Sequence, residues 1–429
     1  MVIQTIIPGG NIQGIITVPG DKSISIRSVL FASIADGTSS ITGAGTGGDV
    51  ASAVKCIKQL GVDTRSEGDT LFINGKNLTG FLPVQTPIDC GNSGTTFRLL
   101  SGLLAGQQHS YTITGDESLR NRPMKRIIDP LQRMGASIKS ADNNKAPITV
   151  SPSDLHGITY ELPVSSAQVK SAILLAGLFA DGRTTVIEPG ASRNHTELML
   201  SAMGVSVTHD ENRITIARPE RIIPCDIHVP GDISSAAFFI VLGSLLPGSH
   251  IIIRNVGVNP TRTGIIDILT LMGAKITFSN HRTEAGEPAA DIEVRPSKLK
   301  GLEVGGPDIP RLIDEIPILA VAAAFAEGET SVRDAGELRV KESDRINAVC
   351  TNLRKMGAKI EELQDGMVIE GGHPLHGAEI SSYEDHRIAL SFAIAGLLAR
   401  GHTVIHGSEW TDISFPGFFA ALERIRHIN

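Results

Sequence analysis

The stretch that decides the fold is ILLAGLFADGRTTVIEP, Ile173 to Pro189: an apolar helix of small residues, a glycine at Gly182, then a β-branched run. The same succession recurs as LFASIADGTSSITG (30–43), LLSGLLAGQQHSYTITG (99–115), FIVLGSLLPGSHIIIRN (239–255), ILAVAAAFAEGETSVRD (318–334) and LSFAIAGLLARGHTVIHG (390–407). Its marker glycines are Gly37, Gly106, Gly182, Gly248, Gly328 and Gly401. A helix that ends in a left-handed cap favours glycine there. Repetition at this spacing means one supersecondary unit used several times.

Two further pieces recur between these. One is a helix closing in Leu/Met-Gly and opening into a strand, ending at Gly61, Gly135, Gly204, Gly273 and Gly357, as in LQRMGASI, LTLMGAKI and LRKMGAKI. The other is a strand, a turn and a strand, as in LFINGKNLTGF, ITVSPSDLHGIT and MVIEGGHPLHGAEI. Each unit reads helix, strand, helix, strand, strand. Leu-x-x-Met-Gly alone is common helix-ending chemistry, but matched spacing across three pieces is not. After its last helix the chain has no further strand pair, and the missing copy is PGGNIQGIITV at Pro8 to Val18. VPGD occurs at Val18 and again at Val229, three units apart. The expectation is two domains, 20–230 and 1–19 plus 231–429, with a paired hinge near 19–21 and 229–232.

Composition limits what such a chain does. Its 429 residues exceed one ordinary core, while 41% hydrophobic and 20% charged residues describe a globular protein. A net charge of −7 and only 4% aromatics speak against nucleic-acid binding. MVIQTIIPGG lacks the basic and apolar regions of a signal peptide, and the longest apolar stretches are too short to span a bilayer. Cys56, Cys90, Cys225 and Cys350 show no metal-ligand spacing, so free thiols, no metal and a cytoplasmic location are expected.

The chemistry gathers where the repeated first helices begin: DKSISIRS (21–28), GNSGTTFRLL (91–100), SSAQVKSA (165–172), GDISSAAFF (231–239), IDEIPI (313–318) and YEDHRIAL (383–390). Ser, Asp and Asn there are ordinary N-caps. Capping does not explain Lys22, Arg27, Arg98, Lys170, His386 or Arg387, because cations oppose the positive end of a helix dipole. They become favourable if an anion sits there. The second helices repeat the arrangement with Arg120, Arg122, Lys125, Arg126, Arg193, His195, Arg262, Arg339, Lys341 and Arg345. One such helix is a solvated charged face; recurrence in an acidic protein points to an anion-binding cleft. Read as a helix, RVKESDR makes Lys341 and Arg345 neighbours one turn apart, offset by Glu342 and Asp344. Asp314 taken alone is an N-cap as readily as a base. Glu342 taken alone is an intrahelical ion pair. Placed among cations with Lys22, they form the opposed titratable groups that acid–base chemistry needs.

The ordered run of PGDKSIS, CGNSGTTFRLL, GDESLRNRPM, SSAQVKSA, SRNHTE, VPGDISSAAFF, IDEIPILAVAAAFAEG, RVKESDR, EDHRIA and SFPGFF resembles the 5-enolpyruvylshikimate-3-phosphate synthase family over nearly the whole chain. The resemblance implies an α/β (α+β) fold of two domains, each of three repeated βαβαββ-type units arranged as an inverted α/β barrel, with the active site in the cleft between them. It implies transfer of the enolpyruvyl group of phosphoenolpyruvate to the 5-hydroxyl of shikimate 3-phosphate, without cofactor or metal, by a monomer. By motif, Lys22, Asp314 and Glu342 take the catalytic roles. Lys22, Ser23, Arg27, Ser165, Ser166, Gln168, Arg193, Asp314 and Lys341 hold shikimate 3-phosphate. Lys22, Gly94, Arg122, Gln168, Arg345, His386 and Arg387 frame phosphoenolpyruvate, with Arg98 nearby.

Three positions depart from the common family pattern. Ile26 stands where many members carry histidine, Asn194 replaces an aspartate, and Ile413 replaces a lysine of the phosphoenolpyruvate subsite. The related transferase acting on UDP-N-acetylglucosamine typically carries a reactive residue in a Gly-rich loop. The corresponding TGDESLRNRPM has no cysteine, and RVKESDR favours the shikimate enzyme. A non-catalytic or RNA-end-processing protein of related architecture is the alternative from another class, and the acidic balance and scarce aromatics weigh against it.

Overall fold

The computed structural model describes residues 2–427. Its contacts gather into two compact units: a middle unit, Gly20–Pro230 with Thr283–Glu287, and a terminal unit formed by the remaining described residues. The middle unit contains α1 (Lys22–Ser33), α2 (Gly48–Gln59), α3 (Gly94–Leu104), α4 (Ala167–Gly177) and α5 (His195–Ala202). Of these, α1, α3 and α4 are buried along nearly their whole length. Polar side chains survive in such helices mainly at the ends, and the first turns are capped by Asp21, Ser93 and Ser166.

Each buried helix leads into the central strand of a four-stranded sheet: Thr38–Thr42 after α1, Tyr111–Thr114 after α3, Arg183–Ile187 after α4. That strand pairs in parallel with a short strand and antiparallel with the strand of a following hairpin. The short strand precedes the helix in sequence for α3 and α4. For α1 it comes from the other end of the unit, Asp226–His228.

The terminal unit repeats this design with α6 (Ile233–Leu245), α7 (Ile316–Phe325), α8 (Arg345–Lys355) and α9 (His386–Leu398). Here α6, α7 and α9 are the buried helices, and their strands are His250–Gly257, Glu329–Val332 and Thr403–His406. Asn11–Thr17 pairs in parallel with His250–Gly257, while Ile3–Ile6 runs antiparallel to Thr403–His406. The fold is the expected α/β repeat. Each unit holds three open sheets, and among the described residues none closes into a barrel. No helix is long and apolar enough to cross a membrane among the described residues.

The glycine signal has two physical origins. Gly37, Gly182, Gly248, Gly328 and Gly401 have positive φ, as do Gly61, Gly135, Gly204, Gly273 and Gly357. Gly106 does not; a side chain there would overlap the Phe179 ring. Two helix starts also differ from expectation. Pro123 breaks the helix through SLRNRPMKR, leaving Glu117–Asn121 and Lys125–Arg133, with Arg122 extended between them as residues before proline are. RVKESDR is not one helix: a 3-10 turn ends at Val340, and α8 begins at Arg345 after the Asp344 cap. Lys341 and Arg345 are therefore not successive-turn neighbours.

Gly102 in α3 faces the Ala172 carbonyl of α4 so closely that a β-carbon would overlap the oxygen. Gly102→Ala is expected to destabilise the chain by roughly 1–3 kcal/mol through overpacking. Gly48→Ala, which meets nothing within 4 Å, stays within about 0.5 kcal/mol of the parent. Denaturant unfolding of both variants checks the difference.

Candidate functional site

In the middle unit the α1 start is held by its cap: Asp21 accepts from the Ile24 amide at 2.9 Å. Lys22 follows and reaches Asp49 of α2, Nζ to Oδ2 3.0 Å. Nothing in the local sequence marks Asp49 as this partner, since the two lie in different helices. Arg27, one turn on, is buried and donates from Nε to Thr196 Oγ1 (2.8 Å), from Nη1 to the Ser23 carbonyl (3.0 Å) and from Nη2 to Ser171 Oγ (3.0 Å). Burial pulls its guanidinium down to about 10, against the support of Glu197 and Asp21. It stays charged at neutral pH, with some of its five N–H groups still available to a ligand.

The α3 start forms a second cationic corner. A β-carbon on Gly94 would lie 2.8 Å from Arg98 Nη1 and 3.2 Å from Arg122 Nη1. With glycine there, two guanidiniums lie close over the helix end. Arg122 donates to Asn92 Oδ1 (2.7 Å) and Arg98 to Gln168 Oε1 (2.6 Å), while Gln168 donates onward to Thr95 Oγ1 (2.9 Å). Gly94, Arg122 and Gln168 are thus brought together, with Arg98. Ser166 caps α4, and Ser165 donates to the Gly190 carbonyl at 2.8 Å.

Lys170 belongs elsewhere. It is buried with Glu188 and Glu197 at 2.8 and 2.7 Å, so this cation is neutralised within the core. Arg262 in the terminal unit is likewise buried, bonded to Asp232 (3.2 Å) and Ser234 (2.8 Å) and near Glu315. Both were candidates for an anion site. Both are internal struts.

The terminal unit centres on Arg345, fully buried at the α8 start. It contacts Asp385 (Nε to Oδ2, 2.8 Å), Glu342 (Nη2 to Oε2, 2.6 Å) and Asp314 (Nη1 to Oδ1, 3.4 Å). Burial works against its charge, but Asp385 and Glu342 outweigh it and raise its pKa further. Burial also disfavours the Asp385 carboxylate; Arg345 prevails and holds it below the usual range. Arg387, whose amide donates to the Asp385 cap at 2.9 Å, has its guanidinium 3.9 Å from Asp314 and 3.8 Å from Glu315. Asp314 does not cap α7; the cap position is Glu315. Lys341 is partly buried, and burial pulls its pKa down against Asp314. Its neutral form is therefore more accessible than that of a surface lysine. His386 opens α9 and is buried. Asp314, Glu342, Arg345 and Arg387 form one cluster of alternating charge. Ile413 ends a 3-10 turn and brings no charge to its position. Among the described residues, no group of three or more metal-binding side chains occurs.

The buried Arg345–Asp385 pair sets a pH dependence. A carboxylate depressed on folding stabilises fully above its unfolded pKa of about 3.9, and that contribution is lost as pH falls through the folded value. Asp385→Asn keeps a side chain able to cap α9 but leaves Arg345 only Glu342 and Asp314 as anionic partners, at a cost of up to about 3 kcal/mol at neutral pH. Denaturant unfolding should show the gap between parent and variant closing below about pH 4.

Residues 6–422 match the family model described as EPSP synthase (3-phosphoshikimate 1-carboxyvinyltransferase). A 3-phosphoshikimate 1-carboxyvinyltransferase of Geotalea uraniireducens (strain Rf4) is 52% identical over 426 residues, covering 99% of each chain. One from Thermoanaerobacter sp. (strain X514) is 51% identical over 96% of this chain and 98% of its own. The solved EPSP synthase of Acinetobacter baumannii superposes with a TM-score of 0.90 at 43% identity, covering 99% of this chain and 98% of that one. With its repeated helices, cationic helix starts and full-length likeness to these proteins, the chain belongs to the EPSP synthase family.

Proposed function

We infer that the chain transfers the enolpyruvyl group of phosphoenolpyruvate to the 5-hydroxyl of shikimate 3-phosphate and releases phosphate, a step of aromatic amino acid biosynthesis. The 5-hydroxyl oxygen bonds to C2 of phosphoenolpyruvate, its proton leaves to a base, and C3 gains a proton to become a methyl group. The product of this addition is a tetrahedral ketal. The methyl then loses a proton, the double bond re-forms, and the C2–O bond to phosphate breaks.

The roles divide by unit. In the middle unit, Lys22, Ser23, Arg27, Ser165, Ser166, Gln168 and Arg193 hold shikimate 3-phosphate, and Gly94, Arg122 and Gln168 hold phosphoenolpyruvate, with Lys22 serving both. The terminal unit contributes Asp314 and Lys341 toward shikimate 3-phosphate and Arg345, His386 and Arg387 toward phosphoenolpyruvate. Asp314 takes the hydroxyl proton, and it lies beside the guanidiniums of Arg345 and Arg387. Glu342 and Lys22 carry the proton to and from C3. The arginines act as positioned charge on a carboxylate and a phosphate, where bidentate hydrogen bonding is strongest. The observation that supports these roles most directly is the pair of guanidiniums laid over the Gly94 helix start. We place the activity in the cytoplasm, in a monomer acting on two small anionic substrates.

A coupled phosphate-release assay should give turnover with shikimate 3-phosphate and none with UDP-N-acetylglucosamine. Lys22→Met and Glu342→Gln should each lower kcat by about 10²–10⁴ with unchanged circular dichroism. Near-parent rates in both would remove the proton-transfer roles.

A further inference from the structure

The hairpin formed by Lys275–Glu284 and Glu287–Arg295 carries an unexpected residue at its tip. Its strands lie largely in the terminal unit, yet Thr283–Glu287 belongs to the middle unit. The turn is tight, with Ala285 at φ 48° and Gly286 at φ 85°. Left-handed conformation at two successive residues is what a two-residue hairpin turn requires, and Ala285 adopts it at a steric cost. A β-carbon on Gly286 would come within 3.1 Å of the Leu198 carbonyl, so the tip is seated on α5.

Glu287 completes this seat. Its Oε1 lies 2.7 Å from Nδ1 of His195, the first residue of α5, and both side chains are buried. A buried carboxylate at this distance fixes the ring through Nδ1. The next residue, Thr196, accepts from Arg27 Nε and bonds Ser171 at 2.6 Å, and Ser171 accepts from Arg27 Nη2. The path from Glu287 to the Arg27 guanidinium is therefore continuous: carboxylate, imidazole, first turn of α5, hydroxyl, guanidinium. Glu287 also adds a favourable field at Arg27.

We propose that Glu287 is a positioning residue for shikimate 3-phosphate: through His195 it fixes the first turn of α5, and with it the Thr196 hydroxyl that aims Arg27. The proposal rests on the reading of Arg27 as a shikimate 3-phosphate contact. Arg27 itself touches the substrate; Glu287 acts through two intermediaries and touches none of it.

The experiment is steady-state kinetics on the full chain with each substrate varied in turn. Glu287→Met removes the acceptor at similar volume and should raise KM for shikimate 3-phosphate about tenfold, the worth of a charge-assisted hydrogen bond. KM for phosphoenolpyruvate and kcat should stay within about twofold, as expected when ground state and transition state lose the same binding. Glu287→Gln, which keeps an acceptor, should recover most of the loss. His195→Phe should reproduce the Glu287→Met split, and it serves as the measurement if Glu287→Met fails to fold. Unchanged KM for shikimate 3-phosphate, equal rises in both KM values, or no recovery by Gln would each overturn the proposal and leave Glu287 a purely structural partner. Arg27→Gln separates the two readings. If it too leaves KM for shikimate 3-phosphate unchanged, the Arg27 assignment is wrong and the proposal falls with it. If it raises that KM while Glu287→Met and His195→Phe do not, only the Glu287 proposal fails.

Discussion

Three helices buried on every side in each unit are the constraint from which the rest follows. A helix surrounded by protein must give each polar side chain along its length a buried partner, as Arg27 and Lys170 have, so α1, α3, α4, α6, α7 and α9 are mostly apolar or small. Their ends remain the places where charge is tolerated. The amide groups of a helix start also need acceptors. A family of buried helices thus concentrates cations and caps at its starts, and Lys22, Gly94 and His386 are all found there.

This constraint also explains what could be read from the chain alone. The alternation of apolar helix, glycine and β-branched strand is local, and the positive φ of Gly182 or Gly273 is a property of one residue. The motifs around Lys22, Gly94 and Arg345 are likewise contiguous. What local reading misses is the partner of each charge. Lys170 and Arg262 look like anion-binding cations until Glu188, Glu197 and Asp232 are seen around them. Asp49 and Glu287 carry no signal in their own segments, because they matter only through Lys22 and His195. Neither the break at Pro123 nor the 3-10 turn before Lys341 follows from reading SLRNRPMKR and RVKESDR as helix starts by their charges; proline chemistry explains the first once the structure shows it.

Buried cations therefore do two different jobs with one side chain. Lys170 lies between two buried carboxylates and has no access to a ligand. Arg27 donates to two hydroxyls and a main-chain carbonyl. Neutral acceptors fix geometry without cancelling charge. Arg345 lies between these cases: Asp385 anchors it from within, while Glu342 and Asp314 are more exposed.

The pairing of Asn11–Thr17 with His250–Gly257, and of Ile3–Ile6 with Thr403–His406, has a consequence for biogenesis. A nascent chain emerges in order, and domains generally fold as units while synthesis proceeds. The first two strands leave the ribosome long before any partner exists for them. The segment from Gly20 to Pro230 meanwhile contains all three sheets of the middle unit. It can assemble while two unpaired β-strands trail from its leading end. Asn11–Thr17 must wait for this pairing until His250–Gly257 has been translated, and Ile3–Ile6 until Thr403–His406 has. Their short length, the glycines between them, Gly9 and Gly10, and Gly14 within the second limit premature edge-to-edge association during that wait.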